Sequence, residues 1–333
     1  MSETTALPCS YNHIVPQLHP IQCIDSQVSI PSEFNACPSL ANIHIPEPTR
    51  SYSGGFGELV QGYHIKSRCK LAMKRIKVHG RSSEVDATMR RRLSREVRIW
   101  CSLLHINILP FCGVAVISNI AYLVSPWMDH GDLSYFVASR RLFLDMPPSG
   151  RDEMHPMAVA YRKFREHAAI AGLALGLDYL HAYHVIHGDL KAANVVLDDT
   201  LQPKICDFGL TKVIYTKYAR TSETLKGAGS HRWMAPELFT EDENSSKTIE
   251  SDVYAFGMTI AEILSAELPF PHLRHSWRIA LDVVKGVRPI PEPMSRAGKP
   301  FNDLWDLAAL CWDPDPSLRP LAGAIVAVLD GGE

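Results

Sequence analysis

A change of hydrophobic period at about residue 130 constrains this chain more than any other feature. Before it, CKLAMKRIKV alternates Ala72, Lys74, Ile76 and Val78 with Leu71, Met73 and Arg75, the period of two that a strand requires. NILPFCGVAV and IAYLVSPWM add two apolar runs of strand length. TMRRRLSREVRIWCSLL puts Leu93, Val97, Trp100, Cys101 and Leu104 on one helical stripe. After it, YRKFREHAAIAGLALGLDYLHAYH sets Ile170, Leu173, Leu177 and Leu180 on the buried face of a helix. VYAFGMTIAEILS, WRIALDVVKG, FNDLWDLAALCW and LAGAIVAVL also read as helices, and SRRLFLDMPPSGRDEMHPM between residues 140 and 160 reads as a loop. The pattern predicts an α+β chain with a small strand-rich first lobe and a larger helical second lobe. A cleft between such lobes is a favoured place for a ligand.

Length and composition set the outer bounds. With 333 residues, 46% hydrophobic and 21% charged, the chain can build one large domain or two medium lobes. A net charge of −2 gives no basic character for nucleic acid or a membrane surface. The apolar stretches are too short or too interrupted to span a bilayer, and MSETTALPCSYN lacks the basic and apolar parts of a secretory signal. None of the eight cysteines forms a CxxC pair or a metal-ligand pattern, which points to a reducing, intracellular compartment. Residues 1–48 hold seven prolines and few charges, and read as an irregular extension without a motif.

Five elements then stand in a fixed order. SGGFGELVQG supplies Gly54, Gly55, Phe56 and Gly57, whose backbone can approach a phosphate closely. Lys74 is a cation on the inner face of a strand, and Glu96 borders the apolar stripe of the following helix. Asp189 and Asn194 lie five residues apart in a loop after a helix, and CDFGL carries Asp207. Taken singly, the glycines suit a hairpin turn, the lysine an exposed edge and the glutamate a solvated face. Together they fit the needs of phosphoryl transfer: charge neutralised, the γ-phosphate aligned, an acceptor hydroxyl held in line. Lys74 can hold the α- and β-phosphates while Glu96 orients it. Asp207 and Asn194 are oxygen ligands suited to Mg²⁺. Asp189 can accept the hydroxyl proton, and Lys191 can offset charge on the phosphoryl group in flight.

In this order the elements resemble those of eukaryotic protein kinases, from residue 49 to the end of the chain. The matching segments are the glycine-rich loop, LAMK, the helix glutamate, HGDLKAAN, DFG and WMAPE. After the extension over 1–48, the resemblance implies a two-lobed fold with an antiparallel-sheet N-lobe with one helix over 49–126 and a mainly helical C-lobe over 127–330. It also implies ATP and Mg²⁺ as cofactors, a protein substrate with a serine or threonine acceptor, and an upstream kinase or scaffold as further partner. No nucleic acid or membrane span is implied, and the expected compartment is the cytoplasm or nucleus. Ser125 aligns with the gatekeeper; Ala72 and the backbone of Trp127 and Met128 fall where the family holds adenine. Asp252 in SDVYAFG corresponds to the anchor of the catalytic loop, and Arg319 to the partner of Glu237.

Lys191 and GSHRWMAPE resemble the tyrosine-kinase-like group of serine/threonine kinases, with Ser230 keeping the family's hydroxyl. AAN, after Lys191, echoes tyrosine kinases and leaves dual specificity open. Two departures stand out: Tyr52 replaces the first loop glycine, and Gly188 replaces the arginine that reads a phosphorylated activation segment. RRRLSR (90–95) offers either a solvated helix face or a substitute phosphate receptor. The alternative to an active enzyme is a pseudokinase that serves as a binding or scaffolding module. All three groups that pseudokinases commonly lack, Lys74, Asp189 and Asp207, are present.

Overall fold

The structure is a computed structural model that describes residues 43–46, 51–54, 57–65, 67–75, 97–118, 120–146, 156–208, 212–213, 230–239, 246–290 and 299–331. Gly55, Phe56, Glu96, the basic run 90–95 and the hydroxyls from Thr211 to Thr224 lie outside these residues. The chain divides into two compact units, residues 1–104 with 109–128, and residues 105–108 with 129–333.

The first unit is built on one antiparallel sheet. Its strands are β1 (Ile43–His44), β2 (Ser51–Gly54), β3 (Gly57–His64), β4 (Lys70–Arg75), β5 (Gly113–Ile117) and β6 (Ile120–Pro126). Their order is β1-β3-β4-β6-β5, with β2 added on β3. Alternation works as the sequence predicts: Leu71 and Met73 are buried against Val60, Cys112, Tyr122 and Val124, while Ala72 and Lys74 face the other way. A helix over residues 97–102 (α1) buries Ile99 and Trp100, and Leu103 just beyond it. The Trp100 indole donates to the Leu109 carbonyl at 2.6 Å. Here the predicted stripe is corrected: Leu104 is exposed, because the helix stops two residues before it. Cys69 is disulfide-bonded, whereas the scattered cysteines pointed to a reducing compartment. Cys101, Cys112, Cys206 and Cys311 are free thiols.

The second unit is mainly helical: α2 (Leu133–Asp145), α3 (Pro156–Lys163), α4 (Glu166–Ala182), α5 (Ile249–Ser265), α6 (Ser276–Val284), α7 (Lys299–Cys311) and α8 (Ala322–Asp330). The segment read as one loop between 140 and 160 is helical at both ends. Proline stops a helix that meets it but is tolerated at a first turn, so α2 ends just before Pro147 and α3 begins with Pro156. Ile170, Leu173, Leu177 and Leu180 of α4 are all fully buried, as their spacing predicts. The central helix α5 buries every residue from Ser251 to Leu264. Its entry is fixed by a capping box: Thr248 accepts from the Ser251 amide, and the Ser251 hydroxyl accepts from the Thr248 amide. Gly257 lets α7 pack closely, since a Cβ there would meet the Cys311 Cβ at 2.8 Å. Two short ribbons, β7 (Val185–Ile186) with β10 (Lys212–Val213) and β8 (Val195–Leu197) with β9 (Pro203–Ile205), complete the unit. The loop 187–194 is suspended between β7 and β8.

Candidate active site

A loop stays in one conformation when its backbone amides find fixed acceptors. For 187–194 that acceptor is Asp252, buried on α5: it accepts from the His187 and Gly188 amides, both at 2.8 Å, and lies 3.2 Å from His181 Nε2. Gly188 takes φ +78°, a left-handed conformation that a side chain would strain. The glycine that replaces arginine therefore suits the backbone here. His187 is fully buried, within hydrogen-bond distance of the Cys206 carbonyl at 3.1 Å, and its ring meets the edge of Phe208.

These constraints present Asp189. Its Oδ2 accepts from Lys191 Nζ at 2.8 Å and from Asn194 Nδ2 at 3.0 Å. No hydrogen bond among the described residues occupies its Oδ1. The Lys191 ammonium also donates to the Ser230 hydroxyl at 2.9 Å, and lies over the Trp233 ring. Ser230 thus ties the WMAPE segment to the loop. The Cys206 amide donates to the Asn194 carbonyl at 2.9 Å, which brings Asp207 beside Asn194. Asp207 itself holds φ +66°, uncommon for a residue with a side chain. Asn194 Oδ1 and the Asp207 carboxylate are hard oxygen donors that fit Mg²⁺. Among the described residues no group of three or more His, Cys, Asp or Glu side chains could hold a metal ion, so the fit rests on this amide–carboxylate pair.

The floor under the loop is a second buried carboxylate, Glu262. It accepts from the Ser134 hydroxyl at 2.6 Å, the Ala192 amide at 3.1 Å and the Trp233 indole at 3.0 Å. Burial raises its pKa against the pull of those three bonds, and Asp132 adds to the rise. Further out, Arg319 and Glu237 form a two-pronged pair at 2.7 and 2.8 Å. Lys247 adds a cation near Asp189 and Asp252; burial lowers its pKa, with Lys191 adding to the fall and the two carboxylates opposing it.

The first unit brings other predicted residues onto one sheet face. Lys74 pairs in register with Leu59 on β3 and Leu123 on β6, and Ala72 pairs with Ser125. Directly opposed residues share a face, so Leu59, Ala72, Lys74, Leu123 and Ser125 lie together. Gly54 and Gly57 face each other at the end of the β2–β3 hairpin. The Trp127 amide donates to the Lys70 carbonyl at 3.1 Å.

Sequence reasoning singled out Asp189, Lys191, Asn194, Asp207, Ser230, Asp252, Glu237 and Arg319; in the second unit the first six lie on or beside the loop 187–194, and Glu237 pairs with Arg319 further out. It missed His181, Glu262 and Lys247. His181 ends a helix and Glu262 sits inside one; the signal available was a charged residue within an otherwise apolar run.

A family model described as protein tyrosine and serine/threonine kinase matches residues 52–329. Serine/threonine-protein kinase STY17 of Arabidopsis thaliana is 29% identical over 278 residues, covering 83% of this chain and 42% of that protein. The RAF proto-oncogene serine/threonine-protein kinase of Xenopus laevis is 31% identical over 238 residues, 72% of this chain and 33% of its own length. Serine/threonine/tyrosine-protein kinase HT1 of Arabidopsis thaliana is 29% identical over 282 residues, 84% and 64% respectively. The chain thus spans less than two thirds of each of these relatives.

Proposed function

The chain belongs to the protein tyrosine and serine/threonine kinase family, and from that premise we propose that it transfers the γ-phosphoryl group of ATP to serine or threonine hydroxyls of proteins. The observation that carries this reading is the state of Asp189: Oδ2 is held by Lys191 and Asn194, while no hydrogen bond among the described residues occupies Oδ1. An acceptor oxygen that can take a proton, fixed in place by two donors, is what a general base requires. Mg²⁺·ATP supplies the transferable group and neutralises its charge.

Each residue then has a role. Asp189 takes the acceptor's proton at Oδ1. Lys191, already 2.9 Å from Ser230, stabilises negative charge at the reacting phosphoryl group. Asn194 Oδ1 and Asp207 hold the metal. Lys74 carries the α- and β-phosphates, oriented by Glu96, and Gly54, Gly55, Phe56 and Gly57 cover them. Leu59, Ala72 and Ser125 line the adenine. Because the Trp127 amide is engaged by Lys70, the Met128 amide is the hinge donor. Gly188 removes the arginine that reads a phosphate, so turnover proceeds without an activation-segment phosphate.

The proposed substrates are proteins and the proposed compartment is the cytoplasm; an upstream kinase or scaffold is a proposed partner. Among the described residues no helix is long and apolar enough to cross a membrane. The test is a purified chain with Mg²⁺ and labelled ATP on a degenerate peptide library, with Asp207→Asn as control. Label on serine and threonine that falls to background in the control supports the proposal. Equal signals from the two proteins leave only a binding role.

A further inference from the structure

Two helices of the second unit leave apolar side chains uncovered, and their surroundings carry opposite charge. On α6, Ile279 and Val283 are buried, while Trp277, Leu281 and Val284, spaced i, i+4 and i+7, stand on the outer face. Trp277 alone is 66% exposed. Arg278 and Lys285 border Leu281 at i−3 and i+4. The helix is firmly seated, since Arg288 donates to the carbonyls of Val283, Val287 and Trp312. Helix α8 (AGAIVAVLD) has no polar side chain before Asp330, and a helix apolar all round is ordinarily buried. Ala322, Ile325 and Leu329 do face the core, yet Leu321, Ala324 and Val328 form an exposed stripe that Leu318 extends. Contiguous exposed apolar side chains on fixed elements mark interaction surfaces.

The rims narrow the choice of occupant. Residues 271–290, around α6, carry four cations (Arg274, Arg278, Lys285, Arg288) against one anion, Asp282, which pairs with Arg278 at 3.3 Å. Residues 302–331, around α8, carry five anions (Asp303, Asp306, Asp313, Asp315, Asp330) against one cation, Arg319. That arginine is buried and already engaged by Glu237. Pairing either face with its own equivalent on a second copy would set like charges together, which is unfavourable. Pairing α6 of one copy with α8 of another matches apolar with apolar and cation with anion.

We propose that this chain associates head to tail with a second copy of itself, the outer face of α6 on one protomer seated on the outer face of α8 on its partner. Trp277 is the anchor, since a large exposed aromatic on a fixed helix is the side-chain type that dominates such contacts. At the rim, Arg278 and Lys285 of one protomer face Asp315 and Asp330 of the other. Exposed rim pairs set orientation more than strength, so the apolar stripes carry the affinity. Because the two faces differ, each contact leaves one face of each protomer available for a further contact unless the assembly closes. Association requires no catalysis, so its outcome is independent of the activity assay above.

The test is sedimentation velocity of the full chain at rising concentration, which should show monomer giving way to dimer and larger species. Added salt should weaken the association. Lys285→Glu and Asp330→Lys, both at exposed positions, should each weaken it about tenfold by setting like charge against like. An equimolar mixture of these two variants should regain the wild-type strength of contact, because the reversed rim of one then faces the reversed rim of the other. Trp277→Ala should weaken association about tenfold or more through loss of the anchor. Monomer at every concentration, an association that either reversal leaves unchanged, or a mixture no tighter than the single variants would overturn the proposal. An external partner for α6 would give the first of these outcomes, and pairing of α6 with α6 or of α8 with α8 the second.

Discussion

Replacing Asp252 by asparagine tests how the catalytic loop is held. The carboxylate serves both the His187 and Gly188 amides, each at 2.8 Å, with His181 also in reach of Oδ2. An asparagine keeps one oxygen and turns an amide N–H₂ toward the other donor. A buried donor left without an acceptor costs about 1–3 kcal/mol, so Asp252→Asn should destabilise by about 2 kcal/mol and Asp252→Ala, which orphans both amides, by about 4. Against a total stability of about 5–15 kcal/mol the asparagine variant still folds. Its activity should suffer more, because the lost bond holds the backbone next to Asp189. A displacement of about 1 Å in such a site costs about 10²-fold in rate. Urea unfolding followed by tryptophan fluorescence gives the stability, and peptide phosphorylation at a temperature where the variant is fully folded gives kcat. Stability within about 0.5 kcal/mol of the wild type together with unchanged kcat would refute the anchoring role of Asp252.

Gly188→Ala should cost about 1–2 kcal/mol, because φ at this position is +78° and alanine is strained there; equal unfolding midpoints would reject the strain. Burial and Asp132 raise the Glu262 pKa, so the folded state holds this proton more tightly than the unfolded chain. The corresponding stability is present below the ordinary carboxylate range and is lost as pH rises through the raised folded value. Glu262→Gln can keep one oxygen on Ala192 and Trp233 and donate to Ser134, so it should gain on the wild type as pH climbs through that window. Denaturation midpoints whose difference does not vary with pH would count against this. Arg319→Met leaves Glu237 without its two-pronged partner and should cost about 3–5 kcal/mol, read from urea curves; a loss under about 1 kcal/mol would show the pair to be dispensable.

The fold was legible where periodicity and burial coincide. Leu71 and Met73 alternate with Ala72 and Lys74 and do divide the sheet faces. The α4 stripe from Ile170 to Leu180 is wholly buried. Element ends were less legible, since a period does not say where a helix stops: Leu104 continues the α1 spacing but lies past the last turn. Asp189, Asn194 and Asp207 were readable as oxygen groups at suggestive spacing, but what holds them was not. The Ala192 amide finds its acceptor 70 residues away in Glu262, and the Gly188 amide finds Asp252 64 residues away. Such partners are set by packing between distant segments, so only a resemblance pointed to Asp252, and Glu262 and His181 carried no more signal than a charged residue within an otherwise apolar run. Gly188 first read only as a missing arginine; its left-handed backbone supplies a second reason for glycine there.

Asp189 is proposed to act as the general base of phosphoryl transfer. Its most direct test is single-turnover transfer of labelled phosphate from ATP by Asp189→Asn beside the wild type, with nucleotide affinity measured on both. ATP should bind equally well while the transfer rate falls about 10²–10⁴-fold. Transfer at the wild-type rate by the asparagine variant would contradict this role.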